Sequence, residues 1–99
     1  MSDISISQEE QDRSGRYVAS VAGLDETAEL VYERRAADLL VAIHTGVPDS
    51  LGGKGVGKAL VERLVADARE QGFRVIPRCP FVAGQARRHP EWADVFTDG

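Results

Sequence analysis

Ninety-nine residues suffice for one hydrophobic core and leave no room for a second, so a single domain, 1–99, with no internal linker is expected. With 42% hydrophobic and 28% charged residues the chain is neither disordered nor fibrous. A net charge of −4, with twelve basic residues dispersed rather than clustered, argues against a nucleic-acid surface and fits a cationic or amine partner better.

The first eleven residues are polar and acidic, with no apolar core. They read as neither signal peptide nor membrane anchor, and residues 1–14 are expected to form a flexible tail. Residues 16–22 mix small and apolar residues with polar ones, and in 28–34 Ala28, Leu30 and Tyr32 alternate with Glu29 and Glu33. Both predict half-buried antiparallel strands, joined through the turn residues Gly23-Leu24-Asp25-Glu26 as a hairpin. The nearly continuous apolar run 38–44 predicts a strand covered on both faces and central in the sheet.

Gly46, Pro48 and Asp49 end that strand and lead into the run Gly52-Gly53-Lys54-Gly55-Val56-Gly57-Lys58. Four glycines in six positions let successive backbone N–H groups turn toward an anion. The amphipathic stretch 56–71, apolar at Val56, Leu60, Leu64, Val65 and Ala68, predicts a helix whose N-terminal dipole end points at the same place. A phosphorylated ligand is the reading. Gly72 is the expected αL stop, and 73–76 the next strand, parallel to 38–44 by the right-handed crossover rule. Residues 81–89 predict a short helix that weakens before Pro90.

Two familiar phosphate motifs are close and fail. Gly52-x4-Gly57-Lys58 matches the nucleotide-hydrolase loop up to Ala59, which stands where a Ser or Thr hydroxyl must hold magnesium. A dinucleotide fingerprint lacks a glycine where Lys58 or Leu60 falls. A plain tight turn seldom needs so many glycines. Cys79 is the lone cysteine, so no internal disulfide forms, no His/Cys cluster has metal-ligand spacing, and a reducing cytoplasm is the default compartment.

The segment from His44-Thr45-Gly46-Val47-Pro48 through Leu51-Gly52-Gly53-Lys54-Gly55-Val56-Gly57-Lys58-Ala59-Leu60-Val61 resembles the acyl-CoA pyrophosphate loop of the GNAT N-acetyltransferase superfamily. The pattern continues through Pro77-x-Cys79-x-Phe81-Val82 to Arg88-His89-Pro90-Glu91-Trp92 and is similar to a small GNAT-like subfamily with a cysteine near the acyl site. The resemblance covers residues 32–95. It implies an α+β, sandwich-like fold with a mixed, mostly antiparallel sheet and a central strand-loop-helix-strand unit. Strands 38–44 and 73–76 would splay apart to admit acetyl-CoA, and an amine would accept the acetyl group.

By the same resemblance the pyrophosphate rests on Gly53, Lys54, Gly55, Val56, Gly57 and Lys58, with Val47 at the cofactor and the thioester near Ile43, His44 and Thr45. Backbone donors there would serve as an oxyanion hole. Cys79 is the candidate nucleophile; it carries the acetyl group, or the amine attacks the thioester directly. His44 and His89 are the only histidines and the candidates for accepting a proton, each with a structural alternative, a bond to the loop backbone for His44 and a turn before Pro90 for His89. Arg87 and Arg88 either meet the cofactor's 3′-phosphate or form a solvated basic pair.

One departure stands out. Where the superfamily usually has Arg or Gln, three residues before the glycine matching Gly55, this chain has Gly52. The side-chain contribution to phosphate binding is lost there, and Lys54 or Lys58 is the candidate substitute. A non-enzymatic acyl-CoA-binding module and a small nucleotide-binding module are the alternatives to an enzyme. Monomer and homodimer are both compatible with the sequence.

Overall fold

The computed structural model describes residues 3–53 and 55–98. Four strands, β1 (Ile4–Gln11), β2 (Ser14–Val21), β3 (Thr27–Ala36) and β4 (Leu39–Gly46), run as an antiparallel meander. A 3-10 turn (Asp49–Leu51) and the glycine loop lead to α1 (Val56–Gln71), and β5 (Arg74–Pro77) returns parallel to β4. The sheet order is β1-β2-β3-β4-β5. Helix α2 (Pro80–Arg88) and a second 3-10 turn (Pro90–Trp92) follow.

Alternation along the strands divides the sheet into two faces. Tyr17 opposite Leu30 and Ala19 opposite Ala28 are fully buried, and α1 covers them with Leu60, Val61, Leu64, Val65 and Ala68. Val82 of α2, Trp92 and Val95 join the same core. The opposite face shows Ser5, Ser7, Glu9, Arg16, Ser20 and Glu33 to solvent. Helix α1 ends where Gly72, at φ 78°, donates its N–H to the Ala68 carbonyl at 2.8 Å.

The N-terminal segment corrects the expectation of a tail. Ile4 and Ile6 are half-buried against the core, and the whole of Ile4–Gln11 pairs in register with β2. Tyr32 on β3 ties this edge strand down from across β2, its hydroxyl donating to Glu10 at 2.7 Å and accepting from Gln8 at 2.8 Å. Burial, reinforced by that bond to Glu10, pushes the Tyr32 phenol up to about 12, so it remains a neutral donor. The run read as a strand covered on both faces is also corrected in part. β4 lies between β3 and β5, but only Leu40–Ala42 is buried, and Ile43 and His44 are exposed. At the far edge, Val75 donates to Val95 at 2.8 Å and accepts from Thr97 at 2.9 Å, so the C-terminal segment runs beside β5.

Candidate functional site

The four glycines of the loop do different jobs. Gly53 and Gly55 sit at φ 76° and 75°, the left-handed region that other residues enter only with strain. Gly55 is the N-cap of α1, no side chain caps the helix there, and its first turn holds no acid. The leading N–H groups of α1 are left for a ligand, with the positive dipole end behind them. Gly57 is glycine for another reason: a Cβ there would stand 2.7 Å from Cζ of Phe81, whose ring lies on the first turn of α1. Gly52 has ordinary extended angles, φ −63° and ψ 144°. Together with Val47, Leu51, Phe81 and Gln85 the loop lines a cleft of about 300 Å³.

Beside this cleft the sheet splits. Pairing of β4 with β5 stops at Ala42 opposite Pro77, after which Cys79 donates its N–H to the Ala42 carbonyl at 2.9 Å. Pro77 and the turn Arg78 N–H to Ile76 O carry the chain away into α2. Among the described residues no strand pairs with Ile43–Gly46 on that side, which leaves its backbone groups turned away from β3 open to an extended ligand. A bulge at Ile43 marks the same point, for Tyr32 pairs with Ala42 but Val31 with His44.

The structure separates the candidate catalytic pair. Thr45 lies opposite buried Leu30, on the helix-covered face, and there the Cys79 thiol donates to its hydroxyl at 3.3 Å. Cys79 is 3% exposed and immediately precedes Pro80, the first residue of α2. His44 lies opposite Val31, on the open face, exposed and with its Nε2 toward Gly46. Thiol and imidazole thus flank the split from opposite sides of the sheet.

The remaining candidates are also dispersed. Lys58 lines the cleft, and Lys54 lies outside the described residues. Arg88 shares a helical stripe with Phe81 and Gln85, the cleft-lining residues of α2, whereas Arg87 lines a separate groove with Pro77, Ala83 and Phe96. His89 stacks on Trp92, ring centroids 4.1 Å apart, with its Nδ1 3.0 Å from Glu91, and so holds the C-terminal turn. Phe81 and Gln85 were missed in the sequence reading; their spacing of four on a helix that starts beside the loop was the available signal.

A mostly antiparallel sheet of five strands that splits beside an uncapped helix start defines a GNAT-like class of fold. The chain belongs to the GCN5-related N-acetyltransferase family, whose model matches residues 16–95. It is similar to the NMR solution structure of a "GCN5-like putative N-acetyltransferase" from Staphylococcus aureus, with 29% identity and a TM-score of 0.71 over 98% of this chain and 91% of that one. No curated protein matches the chain.

Proposed function

We propose that the protein transfers an acetyl group from acetyl-CoA to an amine acceptor, with Cys79 as the residue that takes up the acetyl group. The observation that carries this reading is the split between β4 and β5 at Ala42 and Pro77, with the anion cradle on one side and Cys79 at its apex. The residues fit the cofactor: two left-handed glycines and uncapped helix N–H groups suit a diphosphate, and the edge of Ile43–Gly46 turned away from β3, beyond the last β5 pair, suits an extended amide arm.

When bound, acetyl-CoA supplies an acetyl group activated as a thioester. Gly53, Gly55, Val56, Gly57 and Lys58 hold its anionic end, with Arg88, rather than Arg87, on the side of α2 that meets it. Free N–H groups of Ile43–Gly46 steady charge on the carbonyl oxygen. Thr45 aims the Cys79 thiol through its 3.3 Å hydrogen bond, on the helix side. Thioester exchange would pass the acetyl group to the Cys79 sulfur as CoA leaves with the thiol proton; the amine, entering at the split, would then displace the Cys79 thiolate, and exposed His44 on the open face would take the amine's proton. The acidic balance of the chain, −4, favours a cationic acceptor.

The test is intact-protein mass spectrometry after incubation with acetyl-CoA, under native and then denaturing conditions, with and without hydroxylamine. A non-covalent complex and a denaturation-resistant single-acetyl adduct that hydroxylamine removes are the expected results. Absence of any complex overturns the reading. A complex without adduct, together with wild-type rates of amine acetylation in both Cys79→Ala and Cys79→Ser, removes Cys79 from the route and leaves direct transfer.

A further inference from the structure

Gln85 is the one polar residue among the described residues that is buried, at 9% exposure, and its side chain makes no hydrogen bond. A largely buried side chain whose amide has no protein partner calls for a reason. No polar side-chain atom of the described residues is both sealed from solvent and unpaired. The amide of Gln85 therefore keeps an opening, and the space it borders is the cleft of the glycine loop.

Val47, Leu51, Val56 and Phe81 make most of the cleft's wall apolar, so the few polar groups on it are informative. The uncapped N–H groups at the start of α1 and the left-handed turn at Gly53 and Gly55 face it, and its first helical turn carries no acid. In a wall with so few polar groups, the Gln85 amide turned with its NH2 outward offers a side-chain donor to an anion held at the uncapped start of α1. The loop also lacks a side chain at Gly52 to do this from the near side. We infer that Gln85, reaching in from α2, is a diphosphate ligand that replaces the side-chain donor missing at Gly52. The inference rests on the acyl-CoA reading given above and adds to it a binding residue from outside the loop. Phe81 one turn earlier, packed on Gly57, sets the distance between α2 and α1 that lets Gln85 reach.

The test compares wild type, Gln85→Leu and Gln85→Glu by NMR titration with CoA and with inorganic pyrophosphate, alongside thermal midpoints without ligand. Loss of a hydrogen bond to a charged group predicts about a tenfold or greater fall in affinity of Gln85→Leu for both ligands. Gln85→Glu falls further, since a carboxylate has no N–H to give and repels the anion. The thermal midpoint of Gln85→Leu without ligand stays the same or rises, which a purely structural amide would not allow. Should Gln85→Leu not fold, Gln85→Met carries the same comparison. Wild-type affinity of the apolar variant for both ligands overturns the role of Gln85 while leaving the acyl-CoA reading intact. Weakened CoA binding with unchanged pyrophosphate binding, or full affinity in Gln85→Glu, overturns the assignment to the diphosphate. Wild type that binds neither ligand overturns the acyl-CoA reading itself.

Discussion

At the scale of single residues, the glycine loop separates positions that look alike in the sequence. Gly57 is helical in backbone, and its constraint is the Phe81 ring, so Gly57→Ala must displace that ring or the start of α2. Phe81 is 39% exposed and its ring tip can give way, while Ala favours the helix by about 1 kcal/mol, so a net change of no more than about 1 kcal/mol is expected in a urea titration. Gly52 is the contrasting case. Its φ of −63° suits any residue, and the tightest neighbour of an added Cβ is the Asp49 carbonyl at 3.2 Å. Gly52→Arg is expected to fold and to tighten CoA binding by about tenfold in calorimetry, the worth of one charge-assisted hydrogen bond. Unchanged affinity would show that position 52 does not face the anion.

At the scale of elements, the edge strand β1 depends on a contact that spans its neighbour. The Tyr32 ring crosses β2 over Gly15, where an added Cβ would fall 2.4 Å from Cζ, to reach Glu10 and Gln8. Gly15→Val is expected to break both hydrogen bonds and release β1, seen as faster amide exchange over Ile4–Gln11 while α1 stays protected. Arg34, and after it Tyr32, hold the Glu10 carboxyl below its ordinary 4.5. A lowered folded-state pKa contributes stability that is fully present above the unfolded value and lost as pH falls through the folded one. Stability should therefore decline below pH 4.5, and Glu10→Gln should flatten part of that decline in urea titrations at successive pH values. Asp94, lowered by Arg69, and Glu91, lowered mainly by backbone and His89 hydrogen bonds, account for other parts of the same acid limb. If the acid limb of Glu10→Gln superposes on that of wild type, the β1 contact adds nothing to it.

At the scale of the whole molecule, the proposed acyl-CoA reading is set against a nucleotide ligand by the stabilisation each would give. CoA at a hundredfold excess over its dissociation constant is expected to stabilise the fold by about 2.7 kcal/mol, a rise in thermal midpoint of roughly 13 °C for a chain of this size. ATP with magnesium should give a smaller shift, since Ala59 offers no hydroxyl to the metal. A larger shift with ATP would reverse the assignment. Among the described residues no helix is long and apolar enough to cross a membrane.

What the sequence by itself determined were the elements whose pattern is local. Helix α1 spans the predicted 56–71 because its apolar stripe, its glycine start and its Gly72 stop all lie within the segment. The β2–β3 hairpin and the parallel return to β5 followed from turn chemistry and crossover handedness, and the family from the resemblance carried by residues 32–95. β1 stayed hidden because an edge strand buries little: only Ile4 and Ile6 alternate with serines before the segment turns acidic, and its hold comes from Tyr32 on another strand. Tertiary structure alone decided that Cys79 and His44 stand on opposite faces, since a bulge at Ile43 and the parting of β5 are pairing events with no local signal. It alone brought Gln85 to the glycine loop, because where one helix meets the start of another depends on how both pack upon the sheet.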